Sequence, residues 1–374
     1  MEFTRIIEKE LLENCFKWKA IIIYGARQVG KTTLCKKLWW NYAKTLYVTG
    51  DDFSVVQFLT GISLVKLEQW LKGYRILIID EAQKIKEIGN TIKLIVDNIP
   101  EIQVIATGSS AFDLANNIQE SLTWRVKTFH LHPLSLEEIW AEVPIHQHKE
   151  LLEQRLLYGM YPRSVITNDA QELFELVQSY AYKDIFLYES LRKPDLIVKL
   201  LQALALQIGS EVSFNELSQL LAVDVKTVQK YIGLLEQAFI IFRLPSFARN
   251  LRNELKRGQK IYFWDIGVRN GILRNVQAIA SRTDLGHLWE NFIIAERIKF
   301  LQNHRLPYHS FFWRTTSGSE LDYLETDFAN LIASYEIKWS PKRQAKLPVS
   351  FQEQYPDASY RVISPDNAYS WVSN

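Results

Sequence analysis

The stretch AIIIYGARQVGKTTL, residues 20–34, decides the fold of the first part of the chain. A run of apolar residues leads directly into Gly25, and Gly30, Lys31 and Thr32 follow five residues later. The pattern G-x-x-x-x-G-K-[ST], placed after a predicted strand and at the start of a predicted helix, is typical of a loop that cradles phosphate groups. A chance match in a turn is the alternative, and the flanking strand and helix argue against it.

Each residue type in this loop has a role in phosphate binding. The glycines allow backbone N–H groups to point at the phosphates, and the helix N-terminus adds a favourable dipole. Lys31 is predicted to bridge the β- and γ-phosphates, and Thr32 to offer its hydroxyl to Mg²⁺. The predicted ATP-binding residues are Gly25, Ala26, Arg27, Gln28, Val29, Gly30, Lys31, Thr32 and Thr33.

A second apolar strand, in RILIIDEAQ at 75–83, ends in two carboxylates. Asp80 is predicted to hold Mg²⁺ through water, and Glu81 to polarise the attacking water, which favours hydrolysis over binding alone. An Asp-Glu pair at a strand end can also cap a helix, and this alternative stays open. With Lys31, the pair predicts a Mg²⁺-dependent ATPase that uses Glu81 and Lys31 in catalysis.

A further strand, in VIATGSS at 104–110, ends with Thr107, Ser109 and Ser110. A polar side chain at this point can sense the γ-phosphate, and Ser109 is the catalytic candidate. Ser and Thr also cap helices, so the capping role remains an alternative. We expect this strand to lie between the two strands that carry the phosphate motifs.

The length and composition of the chain limit the classes of protein to which it can belong. The 374 residues predict more than one domain. The net charge of +2 argues against a protein that coats nucleic acid by bulk charge, although it allows local basic patches. Cys15 and Cys35 lack metal-ligand spacing and fit a reducing compartment. The charged first residues do not resemble a signal peptide, and the apolar runs are too short to span a membrane, so we expect a cytoplasmic protein without a membrane partner.

The pattern of apolar residues, and with it the predicted secondary structure, changes along the chain. Residues 1–140 alternate nearly continuous β-branched runs with amphipathic stretches, which predicts a parallel sheet covered by helices, an α/β domain. From about 150 the pattern is helical. The last ninety residues combine one long helix, LGHLWENFIIAERIKFLQNH at 285–304, with the predicted strands SFFWRTT, SELDYLE and SYEIKWS.

Five stretches together resemble a widespread prokaryotic family of AAA-type P-loop ATPases with a C-terminal region of unknown function. They are YGARQVGKTTL, IIDEAQK, ATGSS, LTWRVKTFHLHPLSLEEI and YGMYP. The resemblance covers nearly the whole chain and is most specific in the ATPase part. It implies an AAA-type ATPase domain at 1–140, a helical lid or linker at 141–194, a winged helix-turn-helix at 195–262 and a small α/β restriction-endonuclease-like domain at 263–374.

The same resemblance suggests a role for Arg125. In the family a glycine usually precedes the matching arginine, whereas this chain has Trp124. The match makes Arg125 a candidate to act on the γ-phosphate of a neighbouring subunit, as arginine fingers do, and the departure at Trp124 counts against this role. The alternative is a structural strand residue.

The stretch SFNELSQLLAVDVKTVQKYIGLLEQAFIIFRL predicts a helix, a tight turn, a second helix and a strand. Ser213, with Glu216 three residues on, is a predicted capping box, and Asp224 is placed to cap the second helix. This pattern is typical of a winged helix, whose second helix enters the major groove of DNA. Residues 243–260 carry six Lys or Arg and one acid and lie where a wing would contact phosphates. The predicted DNA-binding residues are Lys226, Thr227, Gln229, Lys230, Arg249 and Arg252. The alternative is a packing module with a solvated helix face.

The C-terminal strands carry an Asp followed by Glu-x-Lys, which resembles the restriction-endonuclease-like core. Asp322 lies on one predicted strand, Glu336 and Lys338 on the next, and Glu290 on the preceding helix. In such cores carboxylates hold Mg²⁺ and the lysine orients the attacking water. Glu320 is a further carboxylate that assists the site or points away from it. Charged and apolar residues also alternate on any half-exposed strand, so binding or packing without cleavage is the alternative.

Three functions remain open at this level. The leading hypothesis is a DNA-associated ATPase that couples ATP and Mg²⁺ to a winged helix and a nuclease-like domain. The second is a nucleotide-controlled signalling or scaffold protein with protein partners, and the third is an ATP-regulated nuclease. Homo-oligomerisation is plausible in the DNA-linked hypotheses, because ATPases of this class commonly complete their sites between subunits.

Overall fold

A computed structural model describes residues 3–17, 19–40, 42, 44–109, 122, 124–179, 194–247, 258–315, 317–327, 332–340 and 346–373. The chain forms two compact units. One unit contains the described residues up to His132 together with Gln237–Phe239, and the other contains 133–236 and 240–374. Ser110, Arg249 and Arg252 of the predicted sites lie outside the described residues.

The first unit is built on a five-stranded sheet in the order β2-β3-β4-β1-β5, in which every neighbouring pair is parallel. This confirms the predicted α/β sheet and places β4 between β1 and β3. Strands β1 and β3 are buried along their whole length, as Ile-rich strands covered on both faces must be. The strands are β1 Ala20–Tyr24, β2 Thr45–Thr49, β3 Ile76–Asp80, β4 Gln103–Gly108 and β5 Val126–His130.

Helices join these strands, and their first residues follow from local chemistry. Helix α2 begins at Lys31 directly after Gly30, whose φ of 100° suits a residue without a side chain. Asp52 caps α3 by accepting a hydrogen bond from the Ser54 N–H. The helices of this unit are α1 Glu8–Asn14, α2 Lys31–Trp39, α3 Phe53–Leu59, α4 Leu64–Leu71 and α5 Ile88–Asn98.

The second unit begins with helices, as the sequence predicts. Ser135 and Glu138 form a complete capping box at the start of the first of them. The helices before the first strand of this unit are α6 Leu136–Trp140, α7 His148–Tyr158, α8 Pro162–Thr167, α9 Ala170–Val177 and α10 Pro194–Leu206. Residues 180–193, predicted to continue a helix, lie outside the described ranges.

A helix pair and a small sheet follow. Ser213 and Asp224 cap the two helices as predicted, each accepting a backbone N–H three residues on. The sheet is antiparallel in the order β6-β8-β7. The helices and strands of this part of the chain are, in order, β6 Glu211–Val212, α11 Phe214–Leu221, α12 Val225–Gln237, β7 Ile241–Pro245 and β8 Gln259–Phe263.

The chain ends in a four-stranded mixed sheet in the order β12-β11-β10-β9. Strands β9, β10 and β11 form an antiparallel meander, and β12 pairs with β11 in parallel. A core of Trp313, Leu321, Leu324, Phe351 and Tyr355 lies on this sheet. Its elements are α13 Ile266–Ile272, α14 Leu285–Asn303, β9 His309–Arg314, β10 Glu320–Thr326, β11 Ile332–Ile337, α15 Val349–Gln354, β12 Ser359–Ile363 and α16 Ala368–Val372.

The YGMYP stretch is part of a buried polar junction in this unit. The Asp265 carboxylate accepts hydrogen bonds from the Met160 N–H at 2.6 Å and from the Val268 N–H at 2.9 Å. Gly159 has a φ of 77°, and a Cβ there would overlap the same carboxylate. The glycine is needed because the chain passes directly against Asp265.

In the part of the chain that the structure describes, there is no helix long and apolar enough to cross a membrane.

Candidate functional site

The glycine-rich loop lies between β1 and α2 in the form expected for phosphate binding. Gly30 and Gln28 have left-handed φ values of 100° and 62°, which turn the loop onto the first turn of α2. A Cβ on Gly25 would overlap the Leu131 carbonyl, so a side chain is excluded there. The backbone at Gly25 is therefore packed against Leu131, the residue that follows β5.

Lys31 is buried, and its ammonium lies on the loop itself. Its Nζ donates hydrogen bonds to the carbonyl oxygens of Gly25 at 2.9 Å and Ala26 at 2.8 Å. Of the remaining loop residues, Val29 and Ala26 are buried, whereas Gln28 and Thr33 are exposed. The structure thus brings Lys31 to the middle of the loop.

Asp80, at the end of β3, lies beside the first turn of α2. Its Oδ2 accepts hydrogen bonds from the Thr32 hydroxyl at 2.7 Å and the Tyr47 hydroxyl at 2.8 Å, and its Oδ1 accepts one from the Thr107 hydroxyl. Burial raises the pKa of Asp80, but the hydrogen bonds from Thr107, Thr32 and Tyr47 lower it by more, so the net pKa lies below its usual value. Asp80 is therefore held as a carboxylate.

Glu81 follows Asp80 in a left-handed conformation with a φ of 50°. Its N–H donates to the Thr107 hydroxyl at 3.2 Å, which fixes the backbone at the carboxyl end of β3. The Gln83 side-chain amide donates to Glu81 Oε2 at 2.6 Å and to the Ser109 hydroxyl at 3.0 Å. The structure therefore joins Glu81 and Ser109 through one amide group.

Three residues around this site were not predicted from the sequence. Tyr47 and Gln83 contact the two carboxylates, and Arg5 donates to the Val29 carbonyl at 2.9 Å and the His132 carbonyl at 2.7 Å. The position of Gln83 within DEAQ was a usable signal. Arg5 and Tyr47 carried none, because their contacts depend on how distant segments pack.

Arg125 lies just before β5 and pairs with Asp97 of the same chain. Its Nε lies 2.6 Å from Asp97 Oδ1, and both side chains are about one-third exposed. Trp124 has a φ of 69° and is 86% exposed. The left-handed backbone explains why a glycine would suit this position.

Four of the six residues predicted to contact DNA lie on the first turns of α12. Lys226, Gln229 and Lys230 are exposed there. Thr227 differs from them, because its N–H and its hydroxyl both donate to the Asp224 carboxylate, at 2.9 and 2.6 Å. Thr227 is thus part of the helix cap.

The predicted nuclease-like residues converge on one cluster in the second unit. Lys338 Nζ lies 2.5 Å from Glu336 Oε1 and 3.9 Å from Asp322 Oδ2. Glu290, on α14, accepts hydrogen bonds from two residues that the sequence analysis missed, Lys260 at 3.0 Å and the Tyr262 hydroxyl at 2.6 Å. The structure brings together all four predicted residues, and strand β8 supplies the unexpected contacts.

The carboxylates of this cluster differ in their pKa values. Burial raises the pKa of Glu290, but Lys260 foremost, with His287 and Tyr262, outweighs it and brings the pKa to about 2. Burial and then the charges of Glu290 and Glu336 raise the pKa of Asp322 to about 7. Glu290 is therefore ionised at neutral pH, whereas Asp322 takes up a proton as the pH falls through about 7.

We expect Asp322→Asn to stabilise the second unit more at pH 8 than at pH 5. The raised pKa of Asp322 favours folding when the carboxyl is protonated, and this contribution is lost as the pH rises from about 4 through 7, at about 1.4 kcal/mol per unit. Asn cannot ionise and removes this loss. Urea midpoints at both pH values measure it, with the exposed Asp357→Asn as control. An equal effect at both pH values would contradict the assignment.

Comparison with known proteins divides the chain into three matched segments. Residues 17–140 match the AAA domain family. Residues 149–278 and 285–373 match two domains of unknown function, DUF8612 and DUF4143. The first segment contains the whole glycine-rich loop together with Asp80, Glu81 and Ser109.

Relatives extend this similarity along the chain. An uncharacterized protein of Mycobacterium tuberculosis is 24% identical over 331 residues, which cover 85% of this chain and 70% of the relative. An uncharacterized protein of Methanocaldococcus jannaschii is 23% identical over 330 residues, 74% and 67% of the two chains. Among solved structures, a Walker-type ATPase of Pyrococcus abyssi has a TM-score of 0.50 at 15% identity and covers 73% of this chain and 96% of its own. The fold of this chain is similar to that of this Walker-type ATPase, and residues 17–140 are similar to the AAA domain family.

Proposed function

We propose that the chain binds and hydrolyses ATP in the presence of Mg²⁺ and couples this activity to DNA. The observation that carries the ATPase proposal is the hydrogen bond of 2.7 Å between the Thr32 hydroxyl and the Asp80 carboxylate, beside the buried Lys31. It joins the two phosphate motifs at the carboxyl ends of the parallel strands β1 and β3, between which β4 lies. In open α/β sheets, ligands bind outside the carboxyl ends of the strands.

The side chains fit a magnesium ion at this point. A hydroxyl and a carboxylate with a lowered pKa are oxygen donors of the type that Mg²⁺ takes alongside nucleotide phosphates. Thr32 and Asp80 would hold the ion, and the ion would supply charge neutralisation on the phosphate oxygens. Tyr47 and Thr107 keep Asp80 in place by hydrogen bonding.

The other residues divide the work of binding and catalysis. The backbone N–H groups of the loop and the Lys31 ammonium, released from the carbonyls of Gly25 and Ala26, bind the phosphates. Glu81 accepts a hydrogen bond from the attacking water and orients it. Gln83 and Ser109 hold the Glu81 side chain beside the site, so that a ligand contacting Ser109 alters the position of Glu81.

Phosphate release from Mg²⁺-ATP by the full chain tests the ATPase proposal. We expect wild type to turn over ATP and Lys31→Ala to lose both turnover and the binding of a fluorescent ATP analogue. Lys66→Ala, which removes an exposed lysine elsewhere in the same unit, should leave both unchanged. Turnover that survives Lys31→Ala would place the activity elsewhere.

Contact with DNA is favoured by the second unit. The order β6-β8-β7, with α11 and α12 before the β7–β8 hairpin, fits a winged helix within 195–262, followed by a nuclease-like domain at 263–374 and preceded by a helical linker at 141–194. The exposed Lys226, Gln229 and Lys230 lie near the N-terminus of α12, where a recognition helix carries its base contacts. Arg249 and Arg252 are further proposed DNA contacts, and both lie outside the described residues.

We expect Lys226→Glu with Lys230→Glu to weaken binding to double-stranded DNA by at least tenfold and to flatten its salt dependence, because each lysine that pairs with a phosphate releases counterions. Fluorescence anisotropy with a labelled duplex at several salt concentrations measures both. Lys66→Glu with Lys149→Glu changes the net charge equally at exposed positions and serves as control. Equal loss in the control pair would show that binding depends on overall charge alone.

The role of Arg125 is a proposal that depends on an assembly. Arg125 would act on the nucleotide of a neighbouring copy only after leaving Asp97. If neither DNA binding nor assembly is found, a nucleotide-controlled scaffold that binds proteins is the function that the same P-loop unit would support.

A further inference from the structure

Lys260 is a buried cation at the centre of the carboxylate cluster. It lies on β8 and is 1% exposed. Its Nζ lies 3.0 Å from Oε1 of Glu290 on α14 and 2.5 Å from Oε1 of Glu320 on β10. One ammonium group therefore joins two carboxylates from a helix and a strand that both belong to the last part of the chain.

The other two carboxylates have an ammonium group of their own. Lys338 lies 2.5 Å from Glu336 and 3.9 Å from Asp322, and the Ile337 N–H donates to Asp322 at 2.8 Å. Each of the four carboxylates thus has a lysine within 4 Å. The two ammonium groups offset part of the negative charge of the four carboxylates. Lys260 and Glu290 are the buried members of this network.

Such a network does not fit a divalent metal ion. A metal needs several carboxylate oxygens directed at one point, and its charge would be repelled by an ammonium group that shares those oxygens. Within the ranges that the structure describes, there is no group of three or more His, Cys, Asp or Glu side chains placed to hold a metal. The Tyr262 hydroxyl, at 2.6 Å from Glu290 Oε1, occupies a further position around the oxygen that Lys260 contacts.

The ammonium group also resists removal by deprotonation. Burial lowers the pKa of Lys260, but the charges of Glu290, Glu320 and Asp322 raise it by more. The lysine remains charged at neutral pH, and its tether to β8 keeps it in the cluster without any dissociation equilibrium.

We propose that Lys260 is a built-in cation that takes the place of a divalent metal, and that the Glu290–Asp322–Glu336 cluster is therefore a metal-independent site. The cluster joins β8 to α14 and β10 as a fixed structural element. It does not carry metal-dependent cleavage, which separates the chain from the ATP-regulated nuclease hypothesis. This inference is independent of the ATPase proposal, because it concerns the other unit alone.

Mn²⁺ binding to the nucleotide-free full chain tests the proposal without any activity assay. Free Mn²⁺ is measured by electron paramagnetic resonance during titration of wild type, Asp322→Asn and Glu336→Gln. We expect the three proteins to bind the same amount of Mn²⁺, because the cluster takes none. A wild-type site that either substitution weakens tenfold or more would overturn the proposal.

A second variant tests directly whether the charge of Lys260 excludes a divalent metal ion from the cluster. Lys260→Met keeps the length of the side chain and removes its charge, so Mn²⁺ should bind to this variant at least tenfold more tightly than to wild type. Adding Glu290→Gln to it should abolish the gain. A folded Lys260→Met chain that gains no Mn²⁺ would contradict the proposal. If this variant does not fold, the comparison of wild type with Asp322→Asn decides alone.

Discussion

Replacing Glu81 with Gln should lower ATP turnover by about 10²–10⁴-fold while leaving nucleotide binding within a few-fold of wild type. The substitution removes the carboxylate that orients the attacking water and keeps a side chain of the same size. The Thr32–Asp80 pair and the Lys31 contacts remain, since neither involves the Glu81 side chain. Phosphate release and the affinity for a fluorescent ATP analogue separate the two effects.

Glu87→Gln is the matched control for this experiment. Glu87 is exposed, has a left-handed φ of 55° like Glu81 and lies at the start of α5 in the same unit. The same chemical change at this position should leave turnover unchanged. Turnover of Glu81→Gln within threefold of wild type would assign the water-orienting role to another residue.

Asp265→Ala should produce the largest loss of stability in the second unit. The substitution leaves the N–H groups of Met160 and Val268 without their acceptor in a buried site, at a cost of about 1–3 kcal/mol for each. The carboxylate is also a buried charge partner of Lys299 and Arg155. We therefore expect a loss of several kcal/mol.

Urea denaturation of the full chain measures this loss. ATP should stabilise the P-loop unit by mass action, so the transition that ATP does not shift reports the other unit. Asp366→Ala, at an exposed position, should leave that transition unchanged. An Asp265→Ala midpoint equal to that of wild type would show that the junction with YGMYP contributes little to stability.

The parts of the fold with a local sequence signal were predicted correctly. The loop at 25–33 can be recognised from the spacing of its glycines and from the apolar strand before it. Asp80 can be recognised because it ends a run of β-branched residues. The capping of α12 by Asp224 is likewise local, since a cap involves residues three apart in the chain.

Contacts between distant segments were not predictable in this way. Lys260 appeared to belong to a basic wing, yet it is buried against Glu290 and Glu320, thirty and sixty residues further along the chain. Arg5 supports the loop through carbonyls of Val29 and His132, and a carbonyl contact leaves no mark in the identity of its partner. A basic residue is read from sequence as exposed by default, because burial of a charge requires partners that only the folded chain reveals.

ATP turnover by the full chain, with and without double-stranded DNA and with Glu81→Gln as reference, tests whether the chain hydrolyses ATP and couples this activity to DNA. We expect Mg²⁺-dependent phosphate release by wild type that DNA increases and that Glu81→Gln lowers by about 10²–10⁴-fold. Phosphate release by wild type no faster than by Glu81→Gln, with or without DNA, would contradict it.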